Sequence, residues 1–129
     1  MDIRNSMCFA CGSDNPIGLH LQFEDEEWVA RTEFIAKPEY QGYPGIFHGG
    51  LISTILDEVM ARPLVMRGIR AVTAKMEVRF KKAAEIGIKL LATGELMSQR
   101  GRLYEMRAIL TTEDGAAVAE ATATFMAIK

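Results

Sequence analysis

His48-Gly49-Gly50 stands directly ahead of an apolar, helix-periodic run, and Asp57 follows the histidine by nine residues. A helix N-terminus carries backbone N–H groups without intrahelical partners and the positive end of the macrodipole. Glycines at such a place let a carbonyl or a phosphate come close to the backbone. The segment is therefore suited to polarising a bound group, and Asp57 is a candidate base or nucleophile. Two further sets of residues have chemistry to offer. Cys8 and Cys11 form a CxxC pair, and Arg79, Lys81, Lys82, Arg100 and Arg102 form local basic clusters near strand ends.

These groups need elements to hold them. Leu51, Ile52, Ile55, Leu56, Val59 and Met60 make one apolar stripe at helical spacing, which predicts a helix from about Gly50 to Met66 whose last turn Pro63 disturbs. Asp57 lies about 150° from the centre of that stripe, so it is not a buried core acid of its own subunit. Glu58 lies about 110° from the centre and is expected to be solvated or ion-paired. Before the helix, Leu19–Phe23 and Trp28–Ala36 are candidate strands, and residues 37–47 form an ordered loop rich in Pro, Gly and Tyr.

After the helix come four strands. Val72 to Lys81 alternates apolar and polar side chains, with Thr73 on the polar face beside Lys75 and Glu77. Residues 88–98 follow, then a strand with Tyr104, Met106, Ala108 and Leu110 on one face. The last strand lines up Ala117, Ala119, Ala121 and Ala123, a row that lets a helix lie close to the sheet. Turns at Gln99-Arg100-Gly101-Arg102 and Glu113-Asp114-Gly115 suit hairpins. The order implies an α+β fold, an antiparallel β-sheet wrapped around one long central helix.

The 129 residues fit a single domain over 1–129, with ordinary shares of apolar (49%) and charged (25%) residues. A net charge of −2 argues against a dedicated nucleic-acid binder. The first residues, Met1-Asp2-Ile3-Arg4-Asn5-Ser6, lack a hydrophobic signal core, and no apolar run approaches the ~20 residues of a membrane span, so a cytoplasmic location is expected. Cys8 and Cys11 have the spacing of half a zinc site. No second Cys/His pair follows at finger spacing, and His20 and His48 stand alone. A reduced structural pair with no metal is the expectation.

The chain resembles the hotdog-fold acyl-CoA thioesterases of the phenylacetic-acid-degradation type. The resemblance covers most of the chain. It rests on Gln41-Gly42-Tyr43-Pro44-Gly45-Ile46-Phe47-His48-Gly49-Gly50, on Asp57, and on the strand Val72-Thr73-Ala74-Lys75-Met76-Glu77-Val78-Arg79-Phe80. Cys8-Phe9-Ala10-Cys11-Gly12 with Asn15-Pro16-Ile17-Gly18-Leu19 is also frequent in relatives. The resemblance implies a hotdog fold and hydrolysis of a CoA thioester to free acid and CoA. It implies that the N–H after the histidine, at Gly49, polarises the thioester carbonyl and that Gly50 lets the loop turn into the helix. Asp57 would serve as general base or nucleophile and Thr73 would orient water. Some relatives carry Asn where this chain has Gly42, and Gln41 resembles the alternative used by others. Arg100, Arg102, Arg79, Lys81 and Lys82 are candidates for the phosphates of CoA. No cofactor is implied, because CoA is part of the substrate.

Nine residues of helix amount to ~13 Å of rise and about half a rotation. Asp57 and the N–H at His48-Gly49 of one chain therefore cannot both touch one carbon atom. If both act together they come from two chains, and a symmetric dimer with two shared sites, or a dimer of dimers, satisfies this. The alternative function is a non-catalytic module that binds or senses acyl-CoA. It would keep the glycines and basic residues without needing Asp57.

Overall fold

A computed structural model of the chain describes residues 7–128; the expectation about Met1 to Ser6 lies outside them. The elements in order are β1 (Phe23–Glu26), β2 (Val29–Ile35), a 3-10 turn (Pro38–Tyr40), α1 (Gly49–Met66), β3 (Ala71–Phe80), β4 (Lys89–Arg100), β5 (Leu103–Thr112) and β6 (Ala117–Ala127). The six strands form one antiparallel sheet in the order β1-β2-β4-β5-β6-β3. The helix lies against one face of that sheet, as the hotdog arrangement requires. No helix among the described residues is long and apolar enough to cross a membrane.

Helical and strand periodicities meet in one core. From α1, Ile52, Ile55, Leu56, Val59, Met60 and Leu64 are buried against Leu90, Met106, Leu110, Val118 and Phe125 of the sheet. Each such side chain contributes about 1.5–3 kcal/mol on burial. The expected alanine row is present at Ala119, Ala121 and Ala123, all buried. Ala117 leaves it, because the register of β5 against β6 shifts between Leu110 and Thr111 and Val118 takes the inward place.

The first strand begins later than its alternating pattern suggests. Leu19 to Gln22 is not laddered, and β1 starts at Phe23. His20 has φ +52, which no strand tolerates. The backbone N–H groups of Leu19 and Leu21 instead donate to the carbonyls of Phe9 and Ala10, at 2.8 and 2.9 Å. That pairing fastens the N-terminal loop to the body of the molecule.

Pro63 does not end α1, which continues to Met66. Proline lacks an N–H, so the carbonyl of Val59 loses its helical donor. The sheet comes closest to the helix at the same place. A Cβ added at Gly94 of β4 would overlap the Val59 carbonyl and stand 2.9 Å from the Met60 nitrogen. Gly94 is thus the contact point at which α1 and the sheet set their spacing. Gly94→Ala is expected to destabilise the fold by about 1–3 kcal/mol through overpacking. A lower urea midpoint at unchanged slope checks this.

Candidate active site

The loop before α1 is built to present the helix N-terminus. Phe47 is buried against Tyr40 and Phe34, with ring centroids 5.9 and 6.0 Å apart, and its N–H donates to Ala84. His48 follows as the N-cap, with extended backbone at φ −65 and ψ 127. Its own N–H donates to the Tyr40 carbonyl at 2.8 Å, and its carbonyl accepts from Leu51 and Ile52 at 3.1 Å. Its Nδ1 accepts from the Gly50 N–H at 2.9 Å. A nitrogen that accepts carries no proton, so in the neutral ring the proton sits on Nε2.

These bonds account for the N–H groups of Gly50, Leu51 and Ile52. The Gly49 N–H makes no hydrogen bond among the described residues, and it is the orphan donor at the positive end of an 18-residue helix. The two glycines have different reasons to be there. A Cβ at Gly50 would stand 3.0 Å from the His48 ring, whereas one at Gly49 would meet only the Phe80 ring, at an ordinary 3.5 Å. Gly50 thus makes room for the cap, and Gly49 offers the donor.

Gln41 and Gly42 shape this loop from the other side. The Gln41 amide donates to Pro38 O at 2.9 Å and its oxygen accepts from the Gly45 N–H. A Cβ at Gly42 would lie 3.4 Å from both Cα and Cδ2 of His48. Both positions therefore hold the loop that holds His48.

Asp57 and Thr73 meet directly: the Thr73 hydroxyl donates to Asp57 Oδ1 at 2.7 Å. Simple alternation puts Thr73 on the outer face with Lys75 and Glu77, and this expectation is corrected. The register between β3 and β6 shifts between Thr73 and Lys75. Thr73 pairs with Phe125, and Met76 pairs with Ala123, both inward positions. One extra residue in the edge strand turns Thr73 toward the helix. The remaining carboxylate oxygen of Asp57 is left for a substrate or a water.

Within one chain the two halves of the site stay apart. Gly49 sits over Phe80 at one end of β3, and Asp57 binds Thr73 near the other. β3 is the long outer strand, ten residues with one edge not paired in the sheet.

The basic residues are more dispersed. Arg100 and Arg102 are exposed at the β4–β5 hairpin, with Gly101 at φ +61, and form no ion pair among the described residues. Arg79 faces away from the helix opposite Glu120, beside a depression of about 460 Å³ that Glu77, Glu95 and Arg107 also line. None of the proposed catalytic residues lines that depression. Lys81 pairs with Glu120 at 3.7 Å, and Lys82 is exposed. A second depression, of about 280 Å³, lies between the end of α1 and the start of β3, lined by Ala61, Leu64, Val65, Val72 and Phe125 among others.

Glu58 is not the solvated acid that its angle around the helix allows. It is 5% exposed, and its carboxylate meets the Cys8–Cys11 turn rather than water. The Cys8–Cys11 turn covers α1 at Glu58, and no local pattern in the sequence signals that cover. Burial pushes the Cys11 thiol pKa up from its ordinary value, and the Glu58 carboxylate adds to the shift.

Comparison with known proteins places this geometry in context. Residues 44–119 match the model of a family described as the thioesterase superfamily. Acyl-coenzyme A thioesterase THEM4 of Mus musculus is 31% identical over 87 residues, which cover 67% of this chain and 37% of the mouse protein. The chain thus spans little more than a third of that curated relative. The crystal structure of another thioesterase superfamily protein superposes with a TM-score of 0.87 at 25% identity, covering 94% of this chain and 60% of that one. A hypothetical thioesterase from Streptococcus pneumoniae TIGR4, crystallised with coenzyme A, superposes with a TM-score of 0.79 at 22% identity, over 84% of this chain and 85% of that one.

The cap itself has a measurable weight. His48→Ala removes the acceptor of the Gly50 N–H and is expected to cost about 0.5–2 kcal/mol of stability. Urea unfolding followed by circular dichroism checks the value.

Proposed function

The chain belongs to the thioesterase superfamily, and on that premise we propose that it hydrolyses an acyl-CoA thioester to free acid and CoA. One observation carries the reading. The helix that leaves the Gly49 N–H open at its terminus also carries Asp57, whose carboxylate Thr73 holds at 2.7 Å. The name of the mouse relative and the coenzyme A in the streptococcal crystal support the choice of substrate class.

In this mechanism the thioester carbonyl oxygen accepts from the Gly49 N–H. The donor and the helix dipole stabilise the oxyanion of the tetrahedral intermediate, an effect worth roughly 3 kcal/mol per donor. Asp57 acts as general base. Thr73 spends its proton on Oδ1, so its own oxygen and Asp57 Oδ2 are both acceptors for one water. Asp57 takes a proton from that water as its oxygen bonds to the carbonyl carbon, and the intermediate expels CoA as thiolate. The proton on Asp57 then passes to the sulfur, and the carboxylate is restored. Gln41, Gly42, Gly50 and His48 position the donor.

The active unit is a dimer with two shared sites. An open, ten-residue edge strand is a ready template for a second copy. Antiparallel pairing of β3 with its copy about a two-fold axis near Met76 and Glu77 carries Thr73 of one chain toward Phe80 of the other. Asp57 of one protomer then faces Gly49 of its partner. Arg100 and Arg102, exposed and in no ion pair among the described residues, serve the phosphates of CoA.

Kinetics on a panel of acyl-CoA thioesters with thiol detection test this. Asp57→Asn is expected to lower kcat at least about 10²-fold with the fold intact. Near-wild-type turnover in the folded variant would exclude Asp57 as the base, whereas no thiol release from any acyl-CoA by the unsubstituted chain would point to the non-catalytic binding module. Replacing Arg100 and Arg102 together by Gln is expected to raise KM with little change in kcat, because a phosphate contact is the same in ground and transition states. That effect should fade with rising salt and be missing for a thioester that lacks the nucleotide. An equal loss on the truncated thioester would give the two arginines a structural role.

A further inference from the structure

Cys8 and Cys11 sit in an unusually well-braced turn. The Gly12 N–H donates to the Cys8 carbonyl at 2.8 Å and closes the turn. The backbone N–H groups of Cys11 and Ala10 are directed at the Cys8 sulfur. Asn15 ties the following segment back, donating to the Met7 carbonyl at 3.1 Å and accepting from the Ile17 N–H at 3.0 Å. Gly18 passes so close beneath that a Cβ there would lie 2.5 Å from the Phe9 carbonyl oxygen. The CxxC residues and the Asn-Pro-Ile-Gly-Leu segment are thus one unit, and the unit fixes two thiols side by side.

Glu58 is brought to those thiols from the middle of α1. One ligand atom from each of Cys8, Cys11 and Glu58 lies within 4.8 Å of the other two, and Glu58 is buried. Two half-buried sulfurs and a buried carboxylate each become an anion on losing a proton, and burial makes negative charge costly to gather at one place. A divalent cation inverts that balance. Around a tetrahedral zinc ion, with bonds of about 2.3 Å to sulfur and 2.0–2.2 Å to oxygen, ligand atoms stand about 3.5–3.8 Å apart. With every separation within 4.8 Å, the cluster needs to close by no more than about an ångström to reach that geometry.

We propose that Cys8, Cys11 and Glu58 hold one divalent transition-metal ion, with Zn²⁺ the expected occupant and a water in the fourth position. Thiolate ligands select against magnesium and calcium. The sequence alone offers no second pair of ligands at finger spacing because the third donor is an acid far along the chain, on a helix. The ion is a staple and takes no part in hydrolysis. It ties the N-terminal loop to α1 at the residue next to Asp57, while Asp57 itself turns toward Thr73. The staple would hold whether or not the chain hydrolyses thioesters.

The test uses the full chain, purified under a non-thiol reductant and freed of metal by a chelator. Added Zn²⁺ is expected to raise the thermal midpoint and to remain at one ion per chain after gel filtration. Added Co²⁺ is expected to give thiolate-to-cobalt charge-transfer absorption. Cys8→Ser and Cys11→Ser should each lose most of that absorption and the zinc-dependent rise. Glu58→Gln should keep the absorption but weaken Co²⁺ binding by at least about 10–100-fold, the range already seen for losing an outer partner of a metal ligand. A folded, reduced protein with no charge-transfer band and no shift overturns the site. So does wild-type affinity in Glu58→Gln, or a Cys8–Cys11 disulfide that the reductant does not open.

Discussion

Along α1, Gly49 and Asp57 stand eight residues apart, which is about 12 Å of rise, and one carbonyl carbon cannot span that distance. The rest of the structure is arranged around this separation. The N-terminus of the helix is set over Phe80 at one end of β3, and its middle over Thr73 near the other end. A rigid helix on a rigid sheet fixes both halves of the proposed site with the same element. On the proposed mechanism one chain alone holds them too far apart to act together. The open edge of β3 is where a second copy would complete it.

Two local irregularities make the helix and sheet fit. Pro63 removes a donor from the Val59 carbonyl, and Gly94 brings the sheet backbone against that same carbonyl. The residue inserted between Thr73 and Lys75 turns Thr73 inward, where its hydroxyl meets Asp57. Both features break the ideal period of their element. The first sets the spacing of the layers, and the second places a hydrogen bond on the carboxylate.

Much of this could be seen in the sequence. The stripe from Leu51 to Met60 and the alternation at Tyr104, Met106, Ala108 and Leu110 follow from the periods of helix and strand, and the structure keeps them. Gly49 as the donor is implied by the family resemblance, and among the described residues its N–H makes no hydrogen bond. What the sequence hides is non-local. The bulge that reorients Thr73 depends on the register with β6, and no residue in β3 marks it. The burial of Glu58 depends on a loop some fifty residues earlier folding over the helix, so the angle around one helix, which leaves Glu58 either solvated or ion-paired, does not reveal it. His20 at φ +52 ended a strand that alternation alone would have drawn.

The central claim is that each site takes its carboxylate from one chain and its N–H donor from the other. Gly49→Pro removes that N–H at the first helical position, where proline is tolerated, and His48 before it already has the extended backbone a proline requires. The decisive measurement is turnover of purified heterodimers, each chain carrying its own affinity tag. Pairing an Asp57→Asn chain with a Gly49→Pro chain leaves one of two sites intact, and about half of wild-type activity per dimer is expected. Pairing a wild-type chain with one that carries both substitutions breaks both sites, and activity should fall to background. Background activity in the first heterodimer with about half of wild type in the second, or equal activity in the two, would contradict the shared site.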